Sequence, residues 1–256
     1  MQKIHRAAAE GFEAGAEVYA AARPDYPEAL EPWLTTKLKL GPGRRVLDLG
    51  AGTGKFLPRL LATGAETVAV EPVAAMRAAL SARFPEIRAL EGTAEAIPLE
   101  DNSVDAVTCA QCFHWFASAE ALQEIRRVLK PGGVLGLIWN MRDESVPFVA
   151  AVQAVIAPYA KDAPSYGSGA WRRLFPADGF GPLEESRFSN VQSGPPEQVI
   201  LGRLLSTSYI AALPEAERRE VAARIEAVIA GDPTLAGKAV VQMPYETLAA
   251  CCTKSG

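Results

Sequence analysis

The segment that most constrains the fold is residues 46–54, a short apolar strand that runs into a loop with glycine at every second position. Glycine has no Cβ and accepts positive φ, so this loop can turn sharply and let a ligand lie against the main chain. A strand-to-helix turn without a ligand accounts for one or two glycines. Three glycines and an acidic residue in the strand favour a pocket for a nucleotide-sized ligand. These residues are Asp48, Gly50, Gly52 and Gly54.

Spacing separates three nucleotide-binding loops that could occupy this position. A P-loop requires glycine five residues before its Gly-Lys pair and Ser or Thr after it, but Leu49 and Phe56 occupy those places. A dinucleotide fingerprint requires its third glycine three residues after its second, and that position is Lys55. The remaining pattern, Asp-x-Gly-x-Gly-x-Gly, resembles the motif of class I S-adenosylmethionine-dependent methyltransferases.

A second feature is Glu71, which closes the apolar run 67–70 and lies 21 residues beyond Gly50. An acidic side chain at this place can bind both ribose hydroxyls, in NAD as well as in S-adenosylmethionine. Glu71 could also be the N-cap of a helix over 72–83, because Pro72 follows it. The two roles are compatible.

A third feature is the segment 91–105, which resembles the family segment that wraps the adenine and turns into the fourth strand. The family usually has aspartate where this chain has Thr93. A hydroxyl is a weaker acceptor than a carboxylate. The resemblance therefore implies that Ala94 contacts the adenine through its backbone N–H and that Met76 packs against the ring.

Two more motifs follow in the order that the family has them. Residues 111–116 read Gln-Cys-Phe-His-Trp-Phe, and residues 129–133 read Leu-Lys-Pro-Gly-Gly. Together the motifs cover about residues 44–140, so the resemblance implies S-adenosylmethionine as the cofactor. The cofactor-binding residues that it implies are Asp48, Gly50, Gly52, Gly54, Glu71, Pro72, Met76, Thr93, Ala94 and Gln111.

Residues 114–116 and 19–27 also resemble the small-molecule branch that is similar to trans-aconitate methyltransferases. This resemblance implies a small-molecule acceptor. Some members of the branch act on carboxylates. Arg23 could pair with a carboxylate through two parallel hydrogen bonds, or it could be a solvated arginine beside a helix-ending turn. The candidate substrate-binding residues are Tyr19, Arg23, Tyr26 and Trp115. Further candidates are Arg142, Arg172, Arg173, Arg203 and Tyr209.

His114 is the candidate catalytic residue, because it follows the fourth strand, where the family's active site opens. It could act as a general base or as a hydrogen-bond donor to the acceptor, and it could instead orient the loop beside the cofactor. A carboxylate acceptor is ionised at neutral pH and needs no base, whereas a phenol, hydroxyl or amine needs one. The role of His114 therefore depends on the acceptor.

Composition narrows the possible partners. The net charge of −4 provides no basic field for nucleic acid, so a small-molecule acceptor is expected instead. No run of about 18 apolar residues occurs and the N-terminus does not resemble a signal peptide, so we expect a cytoplasmic protein without membrane attachment. We expect a monomer or a homodimer. Cys109 and Cys112 are spaced like half a zinc site, but a second half is missing, and we expect no metal.

The pattern of apolar runs predicts an α/β fold, a doubly wound, seven-stranded and mostly parallel sheet with a helical lid. We expect a helical cap over residues 1–43, a cofactor-binding core over 44–140, and a lid with the last two strands over 141–256. Two extended segments, 182–192 and 238–252, would supply the last two strands, and the resemblance to the methyltransferase fold implies that the second forms an antiparallel hairpin at the edge of the sheet. The core strands are expected at 45–49, 67–71, 87–91, 104–110 and 133–140.

Two other functions remain open from the sequence. A nucleotide-dependent oxidoreductase using NAD would share Glu71 and the parallel sheet, although Lys55 replaces its third glycine. A non-catalytic module would keep the S-adenosylmethionine pocket and lack an acceptor cavity, because a fold does not by itself prove turnover. The leading prediction is an S-adenosylmethionine-dependent methyltransferase that acts on a small molecule, with methyl transfer by in-line displacement.

Overall fold

The computed structural model describes residues 23–160 and 164–255 of the 256-residue chain. The predicted substrate residue Tyr19 and most of the predicted helical cap lie outside these ranges. The strands are β1 (Arg45–Leu49), β2 (Glu66–Val70), β3 (Arg88–Leu90), β4 (Val104–Ala110), β5 (Leu129–Arg142), β6 (Glu184–Gly194) and β7 (Val241–Thr253).

Short and medium-length helices separate the strands. The α-helices are α1 (Glu31–Thr36), α2 (Leu57–Leu61), α3 (Ala74–Arg83), α4 (Phe113–Phe116), α5 (Ala119–Val128), α6 (Pro147–Ile156), α7 (Arg203–Leu205), α8 (Ser208–Ala211) and α9 (Glu215–Gly231). Single turns of 3-10 helix occupy Glu28–Leu30, Ala157–Tyr159, Tyr166–Ser168 and Ala170–Leu174, and a π-helix occupies Glu197–Gly202. None of the helices in the described ranges is long and apolar enough to cross a membrane.

The sheet has seven strands in the order β3-β2-β1-β4-β5-β7-β6, which confirms the predicted fold class. Strand β1 lies in parallel between β2 and β4, with Leu47 opposite Val68 on one side and Val107 on the other. These three side chains are almost completely buried, as expected for a parallel strand with both faces covered. The carboxyl ends of β1, β2, β4 and β5 therefore lie along one edge of the sheet.

The last two strands lie together at one side of the sheet, where β7 lies between β5 and β6, and β6 forms the edge. The burial of the two strands explains this order. Leu248, Ala249 and Ala250 of β7 are fully buried, whereas β6 alternates exposed and half-buried residues along its whole length. A strand with a continuous apolar run gains more from an interior position than an amphipathic strand does.

The chain forms two compact units. The sheet unit comprises residues 26–140, 164–188 and 247–255, and its core includes Trp33, Phe56 and Ile138. The helical unit comprises residues 23–25, 141–160 and 189–246 in the described part of the chain, and its core includes Val152 and Ile225. The predicted division at residue 140 differs from this one, because residues 164–188 and 247–255 cluster with the sheet unit.

Asp105, the second residue of β4, connects three strands near their amino ends. Its carboxylate accepts hydrogen bonds from Nη1 of Arg44 and the backbone N–H of Arg45, both at 2.9 Å, and from Nζ of Lys130 at 2.8 Å. Burial by itself would raise the pKa of Asp105, but the hydrogen bonds from Lys130, Arg45 and Arg44 outweigh it and hold the pKa below its ordinary value. This carboxylate therefore stabilises the folded chain in its ionised form.

We expect Asp105→Asn to lower the free energy of unfolding at neutral pH by about 1 to 3 kcal/mol, because three donors lose a charged acceptor. The pKa of Asp105 is lower in the folded than in the unfolded chain. Its stabilisation is therefore present above the unfolded value of about 4 and is lost as the pH falls through the folded value. Urea unfolding of the wild type and the variant across this range measures the difference.

The matched control is Asp101→Asn, which removes an exposed partner of Arg127. We expect it to cost less than about 1 kcal/mol at any pH. A difference between wild type and Asp105→Asn that does not shrink under acidic conditions would contradict the proposed role of this carboxylate.

Candidate active site

The loop after β1 has the backbone conformation that its glycines predict. Gly50, Gly52 and Gly54 have φ angles of 70°, 57° and 80°, a region that other residues seldom adopt. Space is also limited, because a Cβ on Gly50 would lie 3.0 Å from Sγ of Cys112, and one on Gly54 would lie 2.9 Å from side-chain atoms of Leu57. Main chain therefore lines this loop where any other residue would place a side chain.

Glu71 holds the glycine loop against the start of the next helix. Its Oε2 accepts a hydrogen bond from the N–H of Gly52, and its Oε1 accepts one from the N–H of Val73, both at 2.8 Å. Helix α3 begins at Ala74 with Val73 as its N-cap, so the alternative role of Glu71 as N-cap is wrong. A carboxylate offers about four acceptor positions. Two are used here, so Glu71 keeps acceptor capacity for a pair of ribose hydroxyls.

Glu71 is mostly removed from water, since the residue is 5% exposed. Burial raises the pKa of Glu71, while the N–H groups of Val73 and Gly52 and the charge of Arg77 oppose this effect. The guanidinium of Arg77 bonds the carbonyl oxygen of Glu71 and the carboxylate of Glu91. Glu71 is therefore fixed from both its backbone and its side chain.

Asp48 lies at the floor of the same loop and is 1% exposed. Its Oδ1 accepts a hydrogen bond from Oγ1 of Thr108 at 3.0 Å, whereas its Oδ2 has no hydrogen-bond partner among the described residues. Burial, with a contribution from the charge of Glu71, raises the pKa of Asp48 to about 7 against the opposing effect of Thr108. A buried acceptor without a donor fits a cationic ligand, and S-adenosylmethionine carries a sulfonium and an ammonium group.

The other predicted cofactor residues lie in helix α3, in the turn after β3, and between β2 and α3. Met76 is 4% exposed, and its Sδ is 3.7 Å from the place of a Cβ on Gly52, so it packs beside the glycine loop. Thr93 and Ala94 lie in a tight turn that is closed by the N–H of Ala96 bonding the carbonyl of Thr93. Pro72 is half-buried between Glu71 and Val73. The contacts thus bring Gly52, Glu71 and Met76 together.

Gln111 is strained at the carboxyl end of β4. It has a φ angle of 62°, which is uncommon for a residue with a Cβ. Its backbone N–H bonds the carbonyl of Ile138 and its Nε2 bonds the carbonyl of Asn140, both at 2.8 Å. These two bonds to β5 hold the strained conformation, and such conformations are concentrated at functional sites.

His114 lies in α4, directly after Gln111 and Cys112. Its Nδ1 accepts a hydrogen bond from Nε1 of Trp139 at 3.2 Å, and its ring lies 5.2 Å from that of Trp115. The sequence reasoning missed Trp139, which is 1% exposed in the apolar interior of β5. The feature of the sequence that could have pointed to Trp139 is a tryptophan in an otherwise aliphatic stretch of the strand.

The non-periodic segment 164–180 supplies aromatic side chains that pack on Trp139. The ring centroids of Trp171 and Tyr166 lie 4.4 Å and 5.1 Å from that of Trp139. Phe175 in turn contacts Trp171 and Phe113. This aromatic cluster, consisting of Phe113, Trp139, Tyr166, Trp171 and Phe175, holds the residues around His114 in place.

Tyr26, a predicted substrate residue, lies in the core of the sheet unit. It is 5% exposed and packs edge-on against Phe56 with ring centroids 4.7 Å apart. The predicted contact between Tyr26 and substrate gains no support from this position and stays a prediction. The Pro-flanked turn places the tyrosine ring in the core, where its large apolar surface is removed from water.

Arg23 belongs to a group of cationic residues within the helical unit. Its Nη2 bonds the carbonyl of Ser206 at 3.3 Å, and its charge acts on both Arg142 and Tyr209. Burial lowers the pKa of Arg142, and the positive charge of Arg23 lowers it further. Burial raises the pKa of Tyr209, while Arg142, Arg203 and Arg23 all lower it. We call Arg23, Arg142, Arg203 and Tyr209 the arginine cluster.

The remaining arginine candidates and the cysteines lie elsewhere. Arg172 pairs with Glu185 and lies over the ring of Trp171, which accounts for its position. Cys109 and Cys112 are free thiols, and burial raises the pKa of Cys112 well above its ordinary value. In the described part of the chain, no group of three or more His, Cys, Asp or Glu residues could hold a metal ion.

Comparison with known proteins identifies the family. A model of the methyltransferase domain matches residues 47–137. An uncharacterized methyltransferase-like protein of Schizosaccharomyces pombe is 43% identical over 233 residues, which cover 90% of each chain. An uncharacterized methyltransferase of Mycobacterium tuberculosis is 38% identical over 237 residues, or 93% of each chain. The chain belongs to the class I S-adenosylmethionine-dependent methyltransferases and is an enzyme of that family.

Solved structures support the fold. The YcgJ protein of Bacillus subtilis has a TM-score of 0.57 at 17% identity, covering 90% of this chain and 100% of that one. The cyclase SpnF has a TM-score of 0.59 at 16% identity, covering 97% of this chain and 96% of that one. At such identities the likeness concerns the fold alone, and one of the two neighbours is named a cyclase. The family therefore rests on the sequence relatives, and they favour methyl transfer over an NAD-dependent oxidoreductase.

The raised pKa of Asp48 predicts a pH dependence of stability in the ligand-free protein. A carboxyl group whose folded pKa is raised contributes stability that is fully present below its unfolded pKa and is lost as the pH rises through about 7. Relative to Asp48→Asn, we expect the free energy of unfolding to fall by about 1.4 kcal/mol per pH unit between about pH 4 and pH 7. Urea unfolding at several pH values measures this slope, and parallel curves for the two proteins would disprove it.

Removing the charge of Glu71 should weaken cofactor binding. In Glu71→Gln the amide NH₂ would face the N–H of Gly52 or of Val73, and the ribose would lose a charged acceptor. We expect the dissociation constant of S-adenosylhomocysteine, measured by titration calorimetry, to rise by about 10-fold or more. Glu91→Gln is the control, because its carboxylate is exposed beyond Arg77 and should leave binding unchanged. Equal affinities for both variants would refute the ribose-binding role.

Proposed function

We propose that this enzyme moves a methyl group from S-adenosylmethionine to the carboxylate of a small-molecule acceptor. When bound, the cofactor supplies a methyl group that its sulfonium has already activated. The protein then has to bind and orient the acceptor and exclude water. The cofactor would be held by the glycine loop, Glu71 and Asp48. The carboxylate oxygens of Glu71 would accept from the ribose hydroxyls, and the buried carboxylate of Asp48 would favour the positive charge of the cofactor.

The observation that carries the carboxylate proposal is the arginine cluster. Burial raises the pKa of the Tyr209 hydroxyl, and three positive charges, those of Arg142, Arg203 and Arg23, lower it. Arg203 is 6% exposed and Arg142 has its pKa lowered by burial, so the positive charge is partly desolvated. Among the described residues, Glu144 acts on both Arg142 and Tyr209, and its side chain is exposed.

A group of half-buried and buried arginines provides a favourable local field for an anion. Arginine matches a carboxylate with two parallel hydrogen bonds, and Tyr209 could add a third donor. An ionised carboxylate is also an acceptor that needs no general base. The resemblance of residues 114–116 to the trans-aconitate methyltransferase branch supports the same class of acceptor.

A turnover screen with methyl-labelled S-adenosylmethionine tests the proposal. The acceptors are small mono- and dicarboxylic acids, their amides, phenols and primary amines. We expect label in a base-labile methyl ester when a carboxylic acid is present, and no transfer to the matched amide. Transfer to phenols or amines with none to carboxylic acids would overturn the assignment of the acceptor.

Arg23→Gln should raise the KM for the carboxylate acceptor by about 10-fold or more, because one charge-assisted pair is lost. The dissociation constant of S-adenosylhomocysteine should stay unchanged. Arg219→Gln removes the same charge from an exposed position of the same unit and serves as the matched control. If Arg23→Gln and Arg219→Gln behave alike, the arginine cluster does not bind the acceptor.

A further inference from the structure

The hydrogen bond between Trp139 and His114 determines which ring nitrogen of the histidine carries a proton. An indole Nε1–H only donates, so its partner must be a lone pair. The partner is Nδ1 of His114, at 3.2 Å. In the neutral ring one nitrogen is a donor and the other an acceptor. The proton of His114 therefore lies on Nε2.

Trp139 has little freedom to release this bond. It lies in β5 next to Ile138, which pairs with Ala110 at the end of β4. The indole is 1% exposed and is packed against Trp171 and Tyr166 in the aromatic cluster. Rotation of the indole would disrupt this packing, so its N–H stays directed at Nδ1 of His114.

This arrangement limits the chemistry of His114. A general base needs a ring nitrogen with a lone pair available to the substrate. Nδ1 is occupied by the N–H of Trp139, and Nε2 already carries its proton. If Nδ1 were protonated, its N–H would face the indole N–H of Trp139, and the hydrogen bond between the two side chains would be lost. His114 is thus prepared to donate from Nε2 and not to accept.

We propose that Trp139 is a positioning residue that fixes the proton of His114 on Nε2, and that His114 therefore does not act as a general base toward the methyl acceptor. This inference rests on the proposed function and narrows it, because the acceptor must reach the site already ionised. A carboxylate meets this condition at neutral pH. A phenol or an ammonium group would first have to lose a proton.

Nitrogen-15 NMR of the histidine ring tests the tautomer without any acceptor. The chain has two histidines, His5 and His114, so His5→Gln leaves one ring to observe. At about pH 8 we expect the Nδ1 of His114 to be unprotonated in that protein. In Trp139→Phe we expect a mixture in which Nδ1–H is also populated. A protonated Nδ1 in the parent protein, or the same tautomer ratio in both proteins, would overturn the proposal.

Trp171→Phe is the matched control, because Trp171 belongs to the same aromatic cluster and contacts Trp139. It should leave the tautomer of His114 as it is in the parent protein. If it shifts the ratio as much as Trp139→Phe does, the effect comes from packing and the proposal fails. Should Trp139→Phe not fold, His114→Phe tests the same bond through the indole N–H resonance of Trp139. That resonance should move upfield, and an unchanged resonance overturns the proposal.

Kinetics with the best carboxylic acid from the screen separates this inference from the proposed function. We expect Trp139→Phe and His114→Phe each to lower kcat by about 5-fold to 10-fold, with an unchanged dissociation constant for S-adenosylhomocysteine. The double variant should be no slower than the slower single variant, because both remove the same interaction. Multiplying effects would contradict the positioning role while leaving carboxylate methylation intact. Turnover of phenols alone would refute the proposed function even if the tautomer is as described.

Discussion

The site depends on one buried carboxylate that joins two loops. Glu71 accepts the N–H of Gly52 with one oxygen and the N–H of Val73 with the other, so the loop after β1 and the turn after β2 are held at a fixed separation. Parallel pairing of β1 and β2 brings their carboxyl ends together, and the carboxylate determines the spacing between the loops that follow. A side chain on Gly52 would strain this backbone, and loss of the carboxylate would leave two buried donors without a partner.

The site contains a second buried acid, Asp48. Asp48 and Glu71 are both desolvated, and the charge of Glu71 helps to raise the pKa of Asp48 to about 7. The ligand-free protein therefore holds an unfavourable concentration of negative charge, which a cationic ligand would relieve. In the helical unit the positive charges of Arg142, Arg203 and Arg23 all lower the pKa of Tyr209, against the effect of burial.

Much of the fold was predictable because apolar runs and glycine positions are local signals. The predicted strands 45–49 and 104–110 coincide with β1 and β4, and β2 and β3 differ by one residue at their ends. The glycine loop followed from spacing alone, since three glycines in this register fit one class of cofactor loop. The order of β6 and β7 reflects which of the two strands tolerates an exposed face, because β6 alternates exposed and half-buried residues and the middle of β7 is fully buried.

The sequence by itself determined the class of fold, the cofactor loop and the acidic residue that follows β2, since each is encoded in consecutive residues. Only the tertiary structure placed Tyr26 in the core and directed Trp139 at His114. It also gathered Arg23, Arg142 and Arg203 around one tyrosine, from positions as far apart in the chain as 23 and 209. The reason is physical: periodicity shows which side chains leave water, but only packing decides which partners they meet.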